Sequence, residues 1–507
     1  MKAVNYTRNY IKIYFWHGIS LILNFISMFI VIPHITSNPS IFGIYTICVS
    51  LSIYLAYADL GFVGAGQKYA AEHYINNERK EEIEIIGFIS FILLVFLVLF
   101  SLCFIILHFN PNLLISSLNN VDKEIASSLF LILALSTPIT LIQRQVQIIY
   151  SIRLEEFIVQ RIASIGNVLK ICSVLWFFTS NHYEIVNYFL FMQLVNLVVA
   201  STAFFLAIKR YDYNYIDLFK NIKFNKEVYI KTRKLALNSL FLIITGILIY
   251  ELDPTAIVFF LGTKQVAVYA IGLTLLSFFR SIFSIIYSPF NARFNHLIGA
   301  LEPEKLKKLY FESVINTFPI VFIPILTIIL LAKPIILTWV GTGYLDAIYS
   351  TRLLIAINFF AFVAYPTSIL LMAQVRVKEM YLISAFNAVF YWIGIILTIK
   401  YFGVNSFALF KFISFLIVGL FYFSIMIKYL DIGIIHAFKK IVFPIILPVV
   451  FLFLTNHFLF DFLPLAKSKI NFLLVLSYAG ILMLVSYSII VLTTSHFKYK
   501  LIHILKY

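Results

Sequence analysis

Among the ionisable residues within or close to long apolar segments of this 507-residue chain, eight are candidates for a functional role. An ionised side chain is costly in hydrocarbon, so such residues usually face a protein interior or an aqueous cavity and often serve a function. The cationic members are Arg280, Lys170, Arg144, Arg352 and Lys411. A guanidinium or ammonium group in a cavity of low dielectric constant can hold an anion such as a phosphate. We therefore predict that these cations form a cationic substrate-binding cavity.

The other three residues are the carboxylates Asp59, Glu251 and Asp253. Pro254 follows Asp253, and a proline removes a backbone hydrogen bond from a helix. Carboxylates at such a break can pair with cations or bind protons. We predict that all three act in coupling or gating, and the alternative for Glu251 and Asp253 is an internal ion pair with Arg280.

Depth along each segment separates the candidates. With a rise of about 1.5 Å per residue, Arg280 lies about 21 Å from the outer end of its segment, somewhat past the middle of the membrane. Lys170 also falls near the middle. Arg144 and Asp59 lie toward the cytoplasmic ends, where the alternative is a side chain that simply extends to the interface.

Long apolar segments must position these residues. Apolar residues make up 62% of the chain and charged residues only 12%, with a mean hydropathy of +0.96. That composition leaves too little polar side chain to coat a soluble globule. Fourteen apolar runs are each long enough to cross about 30 Å of hydrocarbon as a helix. They span residues 10–32, 43–65, 85–109, 124–150, 161–180, 184–208, 236–261, 266–290, 310–332, 350–373, 381–400, 406–427, 442–460 and 471–493. We predict an all-α integral membrane protein with about 14 transmembrane helices.

The positive charges predict the orientation of these helices. Lysine and arginine remain preferentially in short cytoplasmic loops. With the N-terminus inside, cytoplasmic segments hold 28 of these residues, eight of them between Lys209 and Lys234, and the opposite loops hold six. We expect both termini in the cytoplasm. Because the net charge of +16 lies mainly in these loops, it does not indicate a nucleic-acid partner.

The loop pattern predicts two pseudo-symmetric six-helix bundles and an extra helix pair. We expect an N-terminal bundle in residues 1–209, a basic cytoplasmic linker in 210–235, a C-terminal bundle in 236–428, and two further helices with a cytoplasmic tail in 429–507. A shift of 224 residues aligns Phe42-Gly-Ile-Tyr45 with Val266-Ala-Val-Tyr269. A parallel repeat of this kind places a substrate path between two related halves.

No catalytic motif is present in the sequence, and we predict that the protein is not an enzyme. Gly61, Gly64 and Gly66 lack the strand that a phosphate-binding loop requires, so we expect them to allow close helix packing. The histidines are scattered rather than clustered, and the cysteines form no CxxC pair, so we predict no metal site.

Three stretches resemble a known family. Pro33 to Tyr45, then Tyr57-Ala-Asp-Leu-Gly61 and Gln67-Lys-Tyr-Ala-Ala71, are similar to the first two helices of Wzx-type polysaccharide flippases of the multidrug/oligosaccharidyl-lipid/polysaccharide (MOP) superfamily. Asp253, followed by Phe260-Leu-Gly262 and Val268-Tyr-Ala-Ile-Gly272, is similar to the family pattern around its seventh and eighth helices. Tyr150 to Lys170 resembles the connection between its fourth and fifth helices. Pro254 departs from the family, which commonly has a basic residue there.

The resemblance implies two bundles that alternate between inward-open and outward-open forms around a cationic lumen. The implied substrate is an undecaprenyl-pyrophosphate-linked O-antigen or capsule repeat unit, whose head group Arg280 would hold. The resemblance implies no cofactor, and proton or sodium coupling would use Glu251 or Asp253. It places the protein in a bacterial inner membrane, in lipopolysaccharide or other polysaccharide biosynthesis. Implied partners are membrane lipids, with a polysaccharide polymerase and a chain-length regulator as candidates.

Three alternatives predict different features. A cation-coupled multidrug exporter of the same superfamily would have a cavity dominated by carboxylates and usually twelve helices. A membrane O-antigen polymerase or ligase would carry a large outer loop, whereas the longest outer loop here is roughly Lys333 to Tyr349. A lipid II flippase shares fourteen helices and a cationic cavity, and only the Asp-Leu-Gly resemblance separates it from a Wzx-type protein.

Overall fold

The chain is an all-α integral membrane protein. The computed structural model describes residues 6–116, 118–179, 182–494 and 497. Over these residues, thirteen helical segments are long and apolar enough to cross a membrane, and Pro39–Leu55 is a shorter apolar helix. Each of the fourteen predicted apolar runs therefore corresponds to a helical segment.

The helices group into two compact units, Met1–Ala267 and Val268–Tyr507. The division into domains at residues 209, 235 and 428 stays a prediction. The first unit contains α1 (Tyr6–Ile35), α2 (Pro39–Leu55), α3 (Phe62–Ile75), α4 (Arg79–Phe109), α5 (Asn120–Ser151), α6 (Phe157–Phe177), α7 (Ile185–Tyr211), α8 (Tyr215–Lys220), α9 (Lys226–Gly246) and α10 (Asp253–Leu261). It also contains a short 3₁₀ helix (Pro111–Leu113), a π-helical segment (Ile247–Glu251) and an antiparallel pair of two-residue strands, β1 (Phe178–Thr179) and β2 (His182–Tyr183).

The second unit begins inside the next helix. Its helices are α11 (Thr263–Gly299), α12 (Pro303–Leu330), α13 (Ala332–Trp339), α14 (Ala347–Ala356), α15 (Ala361–Ala373), α16 (Val377–Phe402), α17 (Asn405–Leu430), α18 (Ile434–Ile441), α19 (Ile446–Leu459) and α20 (Lys469–Thr493). Short 3₁₀ helices lie at Thr342–Tyr344, Ile357–Phe360, Phe443–Ile445 and Phe460–Phe462.

In the first unit, α6 packs against both α1 and α7, and α5 packs against α2, α4 and α7. The facing sides of α6 and α7 carry small residues, including Ala163, Gly166, Ala200 and Ala203. Small residues leave space between helices or let their backbones approach closely. At Gly166 the approach is close, since an added Cβ would meet Val199 Cγ2 at 2.6 Å.

The second predicted segment is shorter than expected. The run 43–65 predicted one helix, but α2 ends at Leu55 and a new helix begins at Phe62. Leu60 and Gly61 between them adopt left-handed backbone conformations, with φ of 49° and 84°. Hydrophobicity alone could not locate this turn, because the residues that form it are themselves largely apolar.

The predicted glycine packing is confirmed at two of three positions. A Cβ at Gly61 would meet the Ala236 carbonyl oxygen at 2.7 Å, and one at Gly66 would meet Ile89 Cδ1 at 1.7 Å. No atom other than the local backbone lies within 4 Å of the corresponding position at Gly64.

The seventh segment breaks where its proline predicts a break. Residues Ile247–Glu251 form a π-helical segment, and α10 starts at Asp253 with Pro254 in its first turn. The Tyr54 hydroxyl donates a 3.0 Å hydrogen bond to the backbone carbonyl oxygen of Glu251. That carbonyl lies where the regular helical ladder is interrupted, so α2 supplies a replacement donor.

In the second unit, the last two long helices pack against α12, and α20 also packs against α13. The buried Trp339 of α13 stacks on Phe472 of α20 with ring centroids 6.1 Å apart. The expected outer loop from residue 333 to 349 is thus largely a buried helix followed by a short 3₁₀ turn. This packing anchors the extra helix pair predicted from the sequence.

Two short helices occupy matching places, each directly after a long helix that ends in a basic turn. Asp212 and Asp431 end α7 and α17 in left-handed conformations, with φ of 54° and 53°. Leu218 of α8 and Ala437 of α18 are buried, whereas the outward residues of both helices are exposed. These matched exposed pairs are Ile216 with Ile435, Phe219 with Phe438, and Lys220 with Lys439. We call α8 and α18 the paired amphipathic helices.

Candidate functional site

A cavity of about 530 Å³ lies in the first unit, lined by residues of α1, α2, α5, α6 and α7 and of the α5–α6 connection. Its volume falls within the range of about 300–1,000 Å³ that is typical of small-molecule sites. Two of the five predicted cationic residues, Arg144 and Lys170, line it. The fold therefore brings this predicted pair to one cavity from two different helices.

Lys170 reaches the cavity from the interior of α6. Its ammonium nitrogen donates a 2.6 Å hydrogen bond to Asn196 Oδ1 on α7. The Asn196 amide nitrogen in turn donates to Gln193 Oε1 at 3.2 Å, which fixes the orientation of the amide. Lys170 is thus held toward α7 by an oriented neutral acceptor.

Arg144 lines the cavity from α5. Its Nη2 donates a 2.6 Å hydrogen bond to the carbonyl oxygen of Ala56, which follows α2, and its Nη1 donates to Gln147 Oε1 at 2.5 Å. The Ala56 carbonyl lies at the end of α2, just before the turn at Leu60 and Gly61. By binding this carbonyl, the guanidinium joins α2 to α5.

Neutral amides supply five of the ten other polar side chains in the lining. They are Gln143, Gln147, Gln160, Asn167 and Asn196. On α6, Gln160, Asn167 and Lys170 recur at intervals that place them on one helix face. This polar stripe within an apolar run is the signal that could have revealed the amides, which a search restricted to ionisable residues overlooks.

Glu156 and His17 also line the cavity, and the sequence did not single out either one. Glu156 lies in the α5–α6 connection, outside the membrane-spanning segments. Burial raises the pKa of the Glu156 carboxyl above its ordinary value, and the nearby His17 opposes that shift. The position of Glu156 beside a predicted loop does not indicate that it is buried, because most loop carboxylates are solvated.

The predicted coupling carboxylates lie elsewhere in the first unit. Asp59 is buried, and its Oδ2 accepts a 2.9 Å hydrogen bond from the backbone N–H of Val63 in the first turn of α3. This contact gives Asp59 a structural role at the left-handed turn. Asp253 is fully buried at the start of α10, and Glu251 is half-buried. Neither is among the residues that line the cavity described above.

The other three predicted cations belong to the second unit. Arg280 is half-buried in the interior of α11. Arg352 is exposed on α14 and its Nε donates a 3.2 Å hydrogen bond to the carbonyl oxygen of Ile329. Lys411 is fully buried on α17, with its ammonium nitrogen 5.2 Å from the ring centroid of Tyr391. Their participation in substrate binding stays a prediction.

Within the described part of the chain, no group of three or more histidine, cysteine, aspartate or glutamate side chains is arranged to hold a metal ion. Beside small and aliphatic residues, the described lining of the cavity presents amides, hydroxyl groups, His17, two cations and a single carboxylate. Such a lining can hold an anionic or highly hydroxylated molecule.

The chain shares its fold with solved membrane transporters, two of which are described as members of the MOP superfamily. A structure of the lipid II flippase MurJ in an inward closed conformation matches with a TM-score of 0.66 and 15% identity, over 95% of this chain and 98% of that chain. An inward-facing multidrug resistance MATE family transporter matches with a TM-score of 0.56 and 14% identity, over 81% and 94% of the respective chains.

A third solved structure is a MOP superfamily transporter from Pyrococcus furiosus, described as having a binding pocket of reverse polarity that suggests a different function. It matches with a TM-score of 0.55 and 14% identity, over 85% of this chain and 99% of that chain. No protein-family model and no curated protein sequence matches the chain. At these identities, the likeness establishes the fold.

Proposed function

We propose that this protein is a flippase that carries an undecaprenyl-pyrophosphate-linked oligosaccharide across a bacterial inner membrane by alternating access. The fold it shares with the lipid II flippase MurJ supports a lipid-linked substrate. The Asp-Leu-Gly sequence at residues 59–61 favours a Wzx-type substrate, an O-antigen or capsule repeat unit, over lipid II.

The observation that carries the proposal is the presence of both Arg144 and Lys170 in one cavity that amides also line. Cations in a cavity of low dielectric constant favour an anionic ligand, and amides supply both donors and acceptors to a polar one. A lipid-linked oligosaccharide combines an anionic group with many hydroxyls. The two requirements of the cavity are thus met by one substrate.

Export of cationic drugs is the second candidate, favoured by the fold shared with the MATE transporter. A cavity for cations needs carboxylates. Glu156 supplies one to this lining, against Arg144, Lys170 and the ionisable His17. The charge of the cavity therefore favours the flippase.

Energy coupling and partners are further parts of the proposal. Asp253 and Glu251 lie at the break between the π-helical segment and α10, and we assign them proton or sodium coupling on the strength of that position. We assign Arg280 to the pyrophosphate because of its depth in α11. A polysaccharide polymerase and a chain-length regulator are the proposed partners in the membrane.

Transport in proteoliposomes tests the proposal. A fluorescent undecaprenyl-pyrophosphate oligosaccharide, lipid II and a cationic drug would each be offered to the wild-type protein and to Arg144→Gln, Arg280→Ala and Asp253→Asn. We expect flipping of the oligosaccharide by the wild type and its loss in all three variants. Lys223→Gln, which changes an exposed charge, should leave transport intact. Transport of the drug, with no flipping of either lipid, would favour the exporter instead.

A further inference from the structure

The paired amphipathic helices expose similar apolar residues but differ in charge. In α8, the negative charge of Asp217 offsets the positive charge of Lys220. The position of Asp217 corresponds to that of His436 in α18. Lys439, which corresponds to Lys220, is followed by a second lysine, Lys440, and the α18 sequence contains no carboxylate. The α18 helix therefore carries two positive charges, whereas α8 is neutral overall.

The lysines of α18 are available to bind an anion from outside the chain. Lys439 and Lys440 are both exposed. Over the described residues, neither ammonium group forms an ion pair, and that of Lys440 lies 5.8 Å from the ring centroid of Phe311 on α12. Lys428 and Asp431, exposed at the end of α17, carry opposite charges and offset each other. The two lysines thus give α18 a positive surface.

Packing on the second unit determines which side of α18 is presented. Ala437 and Ile441 lie one turn apart on the same helix face and are buried, and α18 packs against α12. Ile435 and Phe438 are 74% and 55% exposed. Exposed apolar and cationic side chains on one helix are typical of a helix that lies in the surface of a membrane.

The chain that follows α18 places it beside lipid. A short 3₁₀ helix, Phe443–Ile445, leads from α18 directly into α19. Ile446 and Leu447 at the start of α19 are exposed, as expected where a membrane-spanning helix faces acyl chains. The exposed side of α18 therefore lies next to the lipid headgroups. This position favours a lipid surface as its partner over a soluble acidic protein.

We propose that α18 binds the headgroups of anionic phospholipids, which Lys439 and Lys440 select over zwitterionic ones. Ile435 and Phe438 enter the boundary with the acyl chains, and the two ammonium groups contact the headgroup phosphates. In phosphatidylcholine a cationic group offsets the phosphate, whereas phosphatidylglycerol keeps a net negative charge that attracts lysine. The neutral α8 contacts the surface without this preference. This lipid contact is separate from transport and does not depend on the identity of the substrate.

Quenching of a tryptophan by brominated lipids tests which lipid contacts α18. Phe438→Trp, or Phe219→Trp at the matching place on α8, is reconstituted in vesicles of equal parts phosphatidylglycerol and phosphatidylcholine, with one lipid brominated at a time. The signal of the four native tryptophans is subtracted with the unsubstituted protein. We expect a preference for phosphatidylglycerol of about tenfold or more at residue 438, and about equal contact with both lipids at residue 219.

Charge substitutions in the Phe438→Trp protein test the lysines. Lys439→Gln combined with Lys440→Gln should abolish the preference, and Lys439→Arg combined with Lys440→Arg should retain it. Lys220→Gln on α8 should leave it unchanged. All of these side chains are exposed, so the variants should fold as the wild type does, and circular dichroism checks this.

Three results would overturn the proposal. An equal preference for phosphatidylglycerol at residues 219 and 438 would show a general attraction of this side of the protein for anionic lipid. A preference that survives the double glutamine substitution would exclude the lysines as its cause. Absence of quenching at residue 438 by either lipid would show that α18 does not contact lipid, and an acidic protein partner would then fit its lysines better.

Discussion

Glu156 shows how one side chain of the cavity links pH to stability. Burial raises the pKa of this carboxyl, so the folded protein holds its proton more tightly than the unfolded chain does. A group of this kind destabilises the folded state as the pH rises from the ordinary carboxyl pKa through the raised folded value. Below the ordinary value both states are protonated and the effect vanishes.

Replacing Glu156 with glutamine removes that ionisation. Glu156→Gln should therefore be more stable than the wild type at about pH 7 and no different at about pH 4, where both side chains are neutral. Thermal unfolding in detergent across this pH range measures the difference. Glu124→Gln changes an exposed carboxylate of α5 and serves as the control. A gain in the thermal stability of Glu156→Gln over the wild type that did not grow with pH would contradict the raised pKa of Glu156.

Arg153 is a loop charge that the structure buries. Its Nη2 donates a 2.8 Å hydrogen bond to Glu82 Oε1, and its guanidinium lies 4.4 Å and 4.6 Å from the ring centroids of Tyr74 and Tyr211. Arg79 and Tyr213 also donate hydrogen bonds to Glu82. The cluster joins the start of α4 to the ends of α5 and α7.

Removing Glu82 leaves the buried Arg153 charge uncompensated, and removing Arg153 leaves Glu82 with only the more exposed Arg79 as its cation. Glu82→Gln or Arg153→Gln should each cost about 3–5 kcal/mol of stability, and the double variant should cost less than the sum. The neighbouring pair of Arg210 and Glu155 is much more exposed, so Glu155→Gln should cost about 1 kcal/mol or less. Denaturant unfolding of the purified variants compares the two pairs, and equal losses would contradict the difference in burial.

Sequence patterns predict part of this residue-scale picture. Arg144 and Lys170 could be identified because charges inside apolar segments are rare and costly. A neutral asparagine or glutamine inside a helix carries no comparable penalty, so the amides of α6 could be identified only by the spacing that places them on one face with Lys170. The loop position of Arg153 does not indicate burial, because its burial depends on tyrosines from distant parts of the chain.

Among the helices, α2 makes one very close backbone contact. A Cβ placed on Gly43 would lie 2.1 Å from the carbonyl oxygen of Thr263, at the start of α11. Ser40, one turn earlier, donates a 2.6 Å hydrogen bond to Asp122 Oδ2 and lies 3.1 Å from Thr263 Oγ1. The helix starts are thus joined by polar contacts that require a glycine at position 43.

Gly43→Ala should separate these helix starts. Because the obstructing atom is backbone, we expect a loss of about 1–3 kcal/mol, as for overpacking in a protein core. Gly64→Ala is the matched control, since its added Cβ meets no atom beyond the local backbone within 4 Å and should cost little. Thermal unfolding of both variants in the same detergent gives the comparison, and equal stability would count against the close contact.

Composition predicts that a helix exists more securely than it predicts where that helix ends. A run of about 20 apolar residues has few alternatives to a membrane-spanning helix. The end of α2 instead depends on a turn at Leu60 and Gly61 that is stabilised by Asp59 and by packing on Ala236. Of these helix ends, only the break at Pro254 could be predicted from the sequence, because a proline interrupts the hydrogen bonds of its own helix.

At the scale of the whole molecule, the charge distribution predicts the orientation of all fourteen segments. Lys223 should face the cytoplasm and Lys467 the opposite side. In a variant without its three native cysteines, Lys467→Cys should react with a membrane-impermeant maleimide in intact cells. Lys223→Cys should react only after the membrane is permeabilised. The reverse pattern would invert the topology and move the termini outside.

The paired amphipathic helices give each unit its own contact with the membrane surface. Both α8 and α18 expose an isoleucine, a phenylalanine and a lysine beside a buried small or aliphatic residue. A helix of this kind settles at the boundary between headgroups and acyl chains. Each unit is therefore anchored at the membrane surface by its own short helix. In a bilayer of altered thickness, the helix ends far from this anchor would change their depth, whereas the helix ends near it would stay level with the surface.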